Sequence, residues 1–258
     1  MSILRSISTA FRRYALYVLI AFVALQLYFF LRVASFAFIN PASTSFERSE
    51  ALHVATLRSQ INANTFKLRL PWLQEWRSYS SIASNLKRAV IVSEDDIFTT
   101  HYGVQWDALE RAWTHNAKAE ELAQAQARSK GSRKTVKIVG GSTITQQLAK
   151  NLFLSKERNL LRKAQELLIT LELETLLPKS RILELYLNEV EWGLGVFGAE
   201  AASRHYFSVS AAQLSPNQCA RLAVMLPRPK YFERNLGSGY LADRAEVIEA
   251  RMYSAKLP

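Results

Sequence analysis

From Ala15 to Leu31 every residue is apolar except Gln26, and after Arg32 the run resumes through Ile39. A helix needs about 20 apolar residues to cross hydrocarbon, and an arginine at its end can snorkel to the headgroups. The pattern predicts a short N-terminal segment over 1–13 and a single N-terminal transmembrane helix over 14–39. Arg5, Arg12 and Arg13 precede the run and no acid does, so the positive-inside rule puts the N-terminus in the cytoplasm and the remainder outside. A cleaved signal peptide is the rival reading, because small residues stand at Ala34 to Ala37. The run is longer than the roughly 7–15-residue core of such a signal, which favours an uncleaved anchor. No core helix of the outer domain is expected to need this run, so the anchor reads as separable.

Beyond the anchor the pattern is mixed over 40–80, read as a membrane-proximal linker and small lobe, with Pro71, Trp72 and Trp76 near its end. From Ser81 it turns helical, and Ile82, Leu86, Ala89, Val90 and Val92 lead into Ser93 and Glu94. Residues 114–137 are polar and Ala/Gln-rich, with Arg128, Lys130, Arg133, Lys134 and Lys137 late in the stretch, as in a helix end followed by a basic loop. Gly140 to Leu154 reads GGSTITQQLAKNLFL. There Thr143 and Gln146 fit a capping box, and Ile144, Leu148 and Leu152 form one helical stripe. Asn159 to Leu177 predicts a helix with Leu160, Ala164, Leu167, Leu168 and Leu171 on one side, stopped by Pro178. Further helices are expected over 180–188, 214–226 and 241–253. Strand signals are few, so 81–258 is expected to be one mainly α domain.

Composition narrows the partners. The net charge is +11. Residues 1–32 hold four arginines and no acid, which leaves most of that charge on the outer domain. There nucleic acid is not the expected partner; anionic headgroups of the membrane or a lipid-linked phosphate are. Cys219 is the sole cysteine, which excludes an internal disulfide and a Cys-rich zinc site.

Three stretches could carry chemistry. Glu94, Asp95 and Asp96 close an apolar helical run, where partial desolvation raises a carboxylate toward general-base range; read alone, the same triplet is equally a solvated acidic cap. In the Gly140–Leu154 stretch, glycines and hydroxyls precede a helix start, and Lys150 follows one to two turns on, an arrangement suited to an anion. Gln146 and Lys150 share one helical face, and Gln147 and Asn151 share another. Arg162 and Glu166 lie one turn apart, as in an ordinary surface ion pair. Gly193, Gly195 and Gly198 fit G-x-G-x-x-G, but a helix is expected before them and no acid follows at the required distance, so a nucleotide cofactor is rejected. Ser84 to Lys87 fits S-x-x-K without the partner motifs of a transpeptidase.

In order, Glu94-Asp95-x-x-Phe98-x-x-His101-x-Gly103, GGSTITQQLAKN over 140–151, Arg162-Lys163-x-x-Glu166 and Lys179 to Asn188 resemble the signatures of the family 51 glycosyltransferases, the peptidoglycan polymerases. Short length and a single anchor resemble the monofunctional members. The resemblance implies a lysozyme-like, helical two-lobed domain that polymerises lipid II into β-1,4 glycan strands, releasing undecaprenyl pyrophosphate with inversion. It assigns Glu94 as the catalytic base and Glu166 as a second essential carboxylate, which either positions the donor or holds a divalent ion. Lys150 and Arg158 would hold the donor's pyrophosphate with help from Lys163, and Arg162, Ser142, Gln147, Asn151 and His101 would complete the substrate site. No metal site and no required cofactor are implied; Mg²⁺ or Mn²⁺ would be a helper. Expected partners are lipid II, the growing glycan strand, the membrane and other cell-wall synthesis or division proteins, at the bacterial inner membrane with the catalytic domain periplasmic. A lytic, lysozyme-like enzyme and a non-catalytic membrane-anchored scaffold are the competing readings.

Overall fold

The structure is a computed structural model that describes residues 2–60, 72–107, 110, 114, 141–155, 157 and 159–258. The basic loop expected after Thr114 and the site residue Arg158 lie outside the described residues.

Helix α1 (Ser2–Ser35) carries the apolar run. It is long and apolar enough over Phe11–Ser35 to cross a membrane. Its outer end packs into the domain, a contact the sequence pattern did not suggest. Phe29, Val33 and Phe36 are buried in the same core as the domain's helices. Phe153 makes an edge contact with Phe29 at 5.4 Å and stacks on Phe36 at 5.9 Å. Gln26, the polar exception in the run, exchanges two 3.0 Å hydrogen bonds with Gln165. Arg181 donates to the carbonyls of Phe36 and Ile39, which ties the turn after α1 to the helix Lys179–Glu189. The reason is local: the run is apolar all round, so one face can enter a protein core while the others stay outside.

Helix α2 (Ser45–Gln60) stands where the sequence pattern reads as mixed. It starts in a capping box, since Thr44 Oγ1 accepts from Glu47 N and Thr44 N donates to Glu47 Oε2. Buried carboxylates then dock it. Glu47 accepts from Gln74, and Lys230 bridges Glu50 and Glu191. Strands β1 (Leu73–Gln74), β2 (Glu191–Gly193) and β3 (Val196–Phe197) form a small sheet in the order β1-β3-β2, parallel between β1 and β3 and antiparallel between β2 and β3. The glycines of the rejected nucleotide fingerprint thus belong to a hairpin, preceded by a short strand and not directly by a helix. At Gly198 φ is +82°, and an added Cβ would meet the Asn188 carbonyl oxygen at 2.7 Å, so only glycine fits.

The domain's helices include α3 (Ser84–Glu94), α4 (Ile144–Phe153), α5 (Leu160–Leu176), α6 (Lys179–Glu189), α7 (Ala199–Phe207), α8 (Pro216–Met225), α9 (Pro229–Glu233) and α10 (Gly239–Arg251). Helices α3, α8 and α10 pack together, while α4 packs on α5, α6 and α2. One feature reverses the expected polarity of α5. Its leucine side faces outward: Leu160 is 88% and Leu161 85% exposed, and Leu168 and Leu171 are exposed as well, while Glu166, Ile169, Thr170 and Leu173 are buried. Periodicity locates the apolar face without showing what covers it; α1 packs on α5 where Gln26 meets Gln165.

Candidate functional site

The site forms where α3 ends against the start of α4. Thr143 caps α4 in the expected capping box with Gln146. Its hydroxyl also donates to the Gly103 carbonyl at 2.6 Å, which ties the loop after α3 to the helix start. Gly103 has φ +73°, and a Cβ there would strike Thr170 at 2.6 Å, so this approach requires glycine. The sequence suggests that the start of α4 would hold a ligand anion. The structure instead places Asp95 there: Asp95 Oδ2 accepts from Ile144 N at 3.0 Å, so the positive helix end is already matched by a buried carboxylate. Asp95 Oδ1 takes hydrogen bonds from His101 Nε2 at 2.8 Å and from Gln105.

Glu94, the last residue of α3, is held differently. Gln147 Nε2 donates to its Oε2 at 2.7 Å, and Gln147 Oε1 in turn accepts from Tyr186 Oη at 3.0 Å. Burial pushes the Glu94 carboxyl above its ordinary pKa; hydrogen bonds from Gln147 and Ser93 and the charge of Lys150 pull the other way, and Asp95 adds to the rise. The carboxylate is therefore raised but still stabilised as an anion, which suits a proton acceptor.

Glu166, in the second turn of α5, is buried and clasped by two cations. Arg162 Nη1 reaches Oε2 at 2.5 Å, and Lys163 Nζ bonds Oε1. Asn159 caps this helix by accepting from Arg162 N. Arg162 Nε is buried without a hydrogen-bond partner among the described residues.

Two cavities of about 260 Å³ each adjoin these carboxylates. Glu94, Asp95, Asp96 and Gln105 line one, and Gln147, Lys150, Arg162, Lys163 and Glu166 line the other; Ser142 borders both. Of the residues singled out from the sequence, Glu94, Ser142, Gln147, Lys150, Arg162, Lys163 and Glu166 are thus brought together. His101 is not a lining residue; it is a half-buried partner of Asp95. Asn151 is buried and lines neither cavity. Phe46, from the unexpected α2, lines the cationic cavity, and Arg251, from α10, lines the other. Tyr186 and Gln105 also carried no local signal. Among the described residues no cluster of three or more His, Cys, Asp or Glu side chains could hold a metal.

A family model described as Transglycosylase matches residues 65–253. The biosynthetic peptidoglycan transglycosylase of Janthinobacterium sp. is 49% identical over 234 residues, covering 91% of each chain. The protein of the same name from Paraburkholderia phytofirmans is 48% identical over 242 residues, covering 93% of this chain and 90% of its own. That of Herminiimonas arsenicoxydans is 47% identical over 234 residues, with 91% of each chain covered.

Proposed function

The chain belongs to the transglycosylase family, and from that premise we propose that it polymerises lipid II with Glu94 as the base and the Lys150–Arg162–Lys163 face as the pyrophosphate site. It is a peptidoglycan glycosyltransferase of mainly helical, lysozyme-like fold. The carrying observation is that the two cavities meet at Ser142. A raised carboxylate borders one cavity and a set of cations borders the other, so an acceptor hydroxyl and a leaving diphosphate can be served side by side.

Glu94 takes the proton of the acceptor's N-acetylglucosamine 4-hydroxyl as that oxygen attacks the anomeric carbon of the donor's N-acetylmuramic acid. The C–O bond to the diphosphate breaks on the opposite face, and the electron pair leaves with undecaprenyl pyrophosphate. Lys150, Arg162 and Lys163 stabilise that developing charge. The two oxygens of Glu166 are each engaged by a cation. This favours a role in aiming those cations over a role in holding Mg²⁺ or Mn²⁺. Asp95 and His101 brace the loop after Glu94. With α1 spanning the bacterial inner membrane and the arginine-bearing N-terminus in the cytoplasm, the site faces the periplasm at its lipid-borne substrate.

Purified protein supplied with lipid II should form polymer that moenomycin blocks. Digestion of preformed peptidoglycan in place of polymer would mean a lytic enzyme, and neither activity would mean a scaffold.

A further inference from the structure

A third cavity, of about 110 Å³, lies away from the reaction site at the outer end of α1. It shares no lining residue with the other two. One side is polar. Arg48 Nη1 donates to the Ser43 carbonyl at 3.2 Å and to Ser43 Oγ at 3.0 Å, and Nη2 donates to Ser45 Oγ at 3.1 Å. Arg32 faces the same cavity and stands 5.2 Å over the Phe36 ring. Among the described residues neither guanidinium has a carboxylate partner, although most arginines around the sheet and on α5 and α6 do. The other side is apolar, formed by Tyr28, Phe29 and Phe153.

The position along α1 adds a second argument. The uncharged run begins at Tyr14, after Arg13, and about 20 residues cross the hydrocarbon. That brings the chain to Val33, so Arg32 stands in the last turn, where its side chain snorkels to the headgroups, with Tyr28 and Phe29 about a turn below at the acyl boundary. Two fixed cations above an aromatic floor, at that depth, match a phosphate with a hydrocarbon chain below it.

We propose that this cavity is a binding site for the phosphate headgroup of an anionic phospholipid, held by Arg32 and Arg48 with its chain along Tyr28 and Phe29. The proposal rests on α1 spanning the membrane. The reaction's own diphosphate has separate cations at Lys150, Arg162 and Lys163, and the small volume suits one phosphate rather than a sugar-bearing diphosphate.

The test uses the full chain in nanodiscs of phosphatidylcholine containing a minor share of phosphatidylglycerol, with retained lipid read by native mass spectrometry. Wild type should retain phosphatidylglycerol above its share in the bilayer. The Arg32→Gln/Arg48→Gln double variant should lose that preference by about tenfold or more, the worth of one strong charge-assisted contact. Arg244→Gln, an exposed change on α10, should keep it. No preference in wild type would overturn the proposal whatever the variants do, and so would an unchanged preference in a folded double variant. Displacement by millimolar glycerol phosphate would mean a free-anion site, and displacement by undecaprenyl pyrophosphate would mean a substrate site; either overturns the phospholipid assignment. Failure to recover protein with the nanodiscs would instead remove the membrane-spanning reading beneath it.

Discussion

Glu94, half-buried, and Glu166, buried, are carboxylates facing adjoining cavities, yet their surroundings are opposite. Glu94 accepts from neutral donors, Gln147 and Ser93, and feels Lys150 through its charge. Glu166 is gripped by Arg162 and Lys163. An anion raised by burial and held by a neutral donor can accept a proton. An anion neutralised by two cations cannot do so readily, but it fixes where those cations point. The same side chain is thus suited to be a base or a bracket according to what surrounds it.

The strongest way to break this contrast is Glu94→Gln. Polymerisation should fall by roughly 10²–10⁴-fold, the usual worth of a positioned base. Stability should not fall. A buried carboxyl with a raised pKa binds its proton more tightly folded than unfolded, so ionising it costs stability as pH rises through the ordinary carboxyl range, and the amide removes that cost. Near wild-type initial rates from a folded variant would reject Glu94 as the base. Glu166→Gln should differ in kind. It leaves two cations unneutralised, so thermal unfolding should show a loss of about 1–3 kcal/mol, held to that range because Lys163 is partly exposed to solvent, and the donor's KM should rise. An unchanged melting temperature would mean that the clasp does not stabilise the fold.

A third comparison uses Lys150, which lines the cationic cavity and also favours the Glu94 anion. Lys150→Ala should reduce use of the donor about tenfold or more and move the acid limb of the pH–rate profile upward, since Glu94 then protonates more easily. A loss of rate without movement of the limb would separate the two cavities electrostatically. The smallest effect is expected from Tyr186→Phe. The Tyr186 hydroxyl fixes the Gln147 oxygen away from Glu94; without it the amide can turn. The acid limb should rise by a few tenths of a pH unit to about one, as one hydrogen bond allows. Recovery of the wild-type rate at higher pH would distinguish this from general damage to the core, which alkali would not repair.

The legible parts of this protein are the local ones. The capping box at Thr143 and the apolar run into Glu94 depend on neighbours a few residues apart, and both stand in the structure as the sequence suggests. The start of α2 was equally local, since Thr44-x-x-Glu47 is the same motif, but the mixed polarity after it hid the helix. What could not be read are pairings at long separation. Asp95 meets Ile144, and Glu94 meets Gln147 and through it Tyr186, from three different helices. Periodicity also cannot name the medium a face meets, as the outward leucines of α5 show.

The docking of α1 has a mechanical consequence. Phe153 wedged between Phe29 and Phe36, the paired amides of Gln26 and Gln165, and Arg181 on carbonyls of the turn after α1 join helix and domain at three places. With α1 across a bilayer, the reaction site then stands at one height and one bearing above the lipid surface. A tethered domain would sweep a volume and meet its substrate at any angle; a domain joined at these three places turns with its helix.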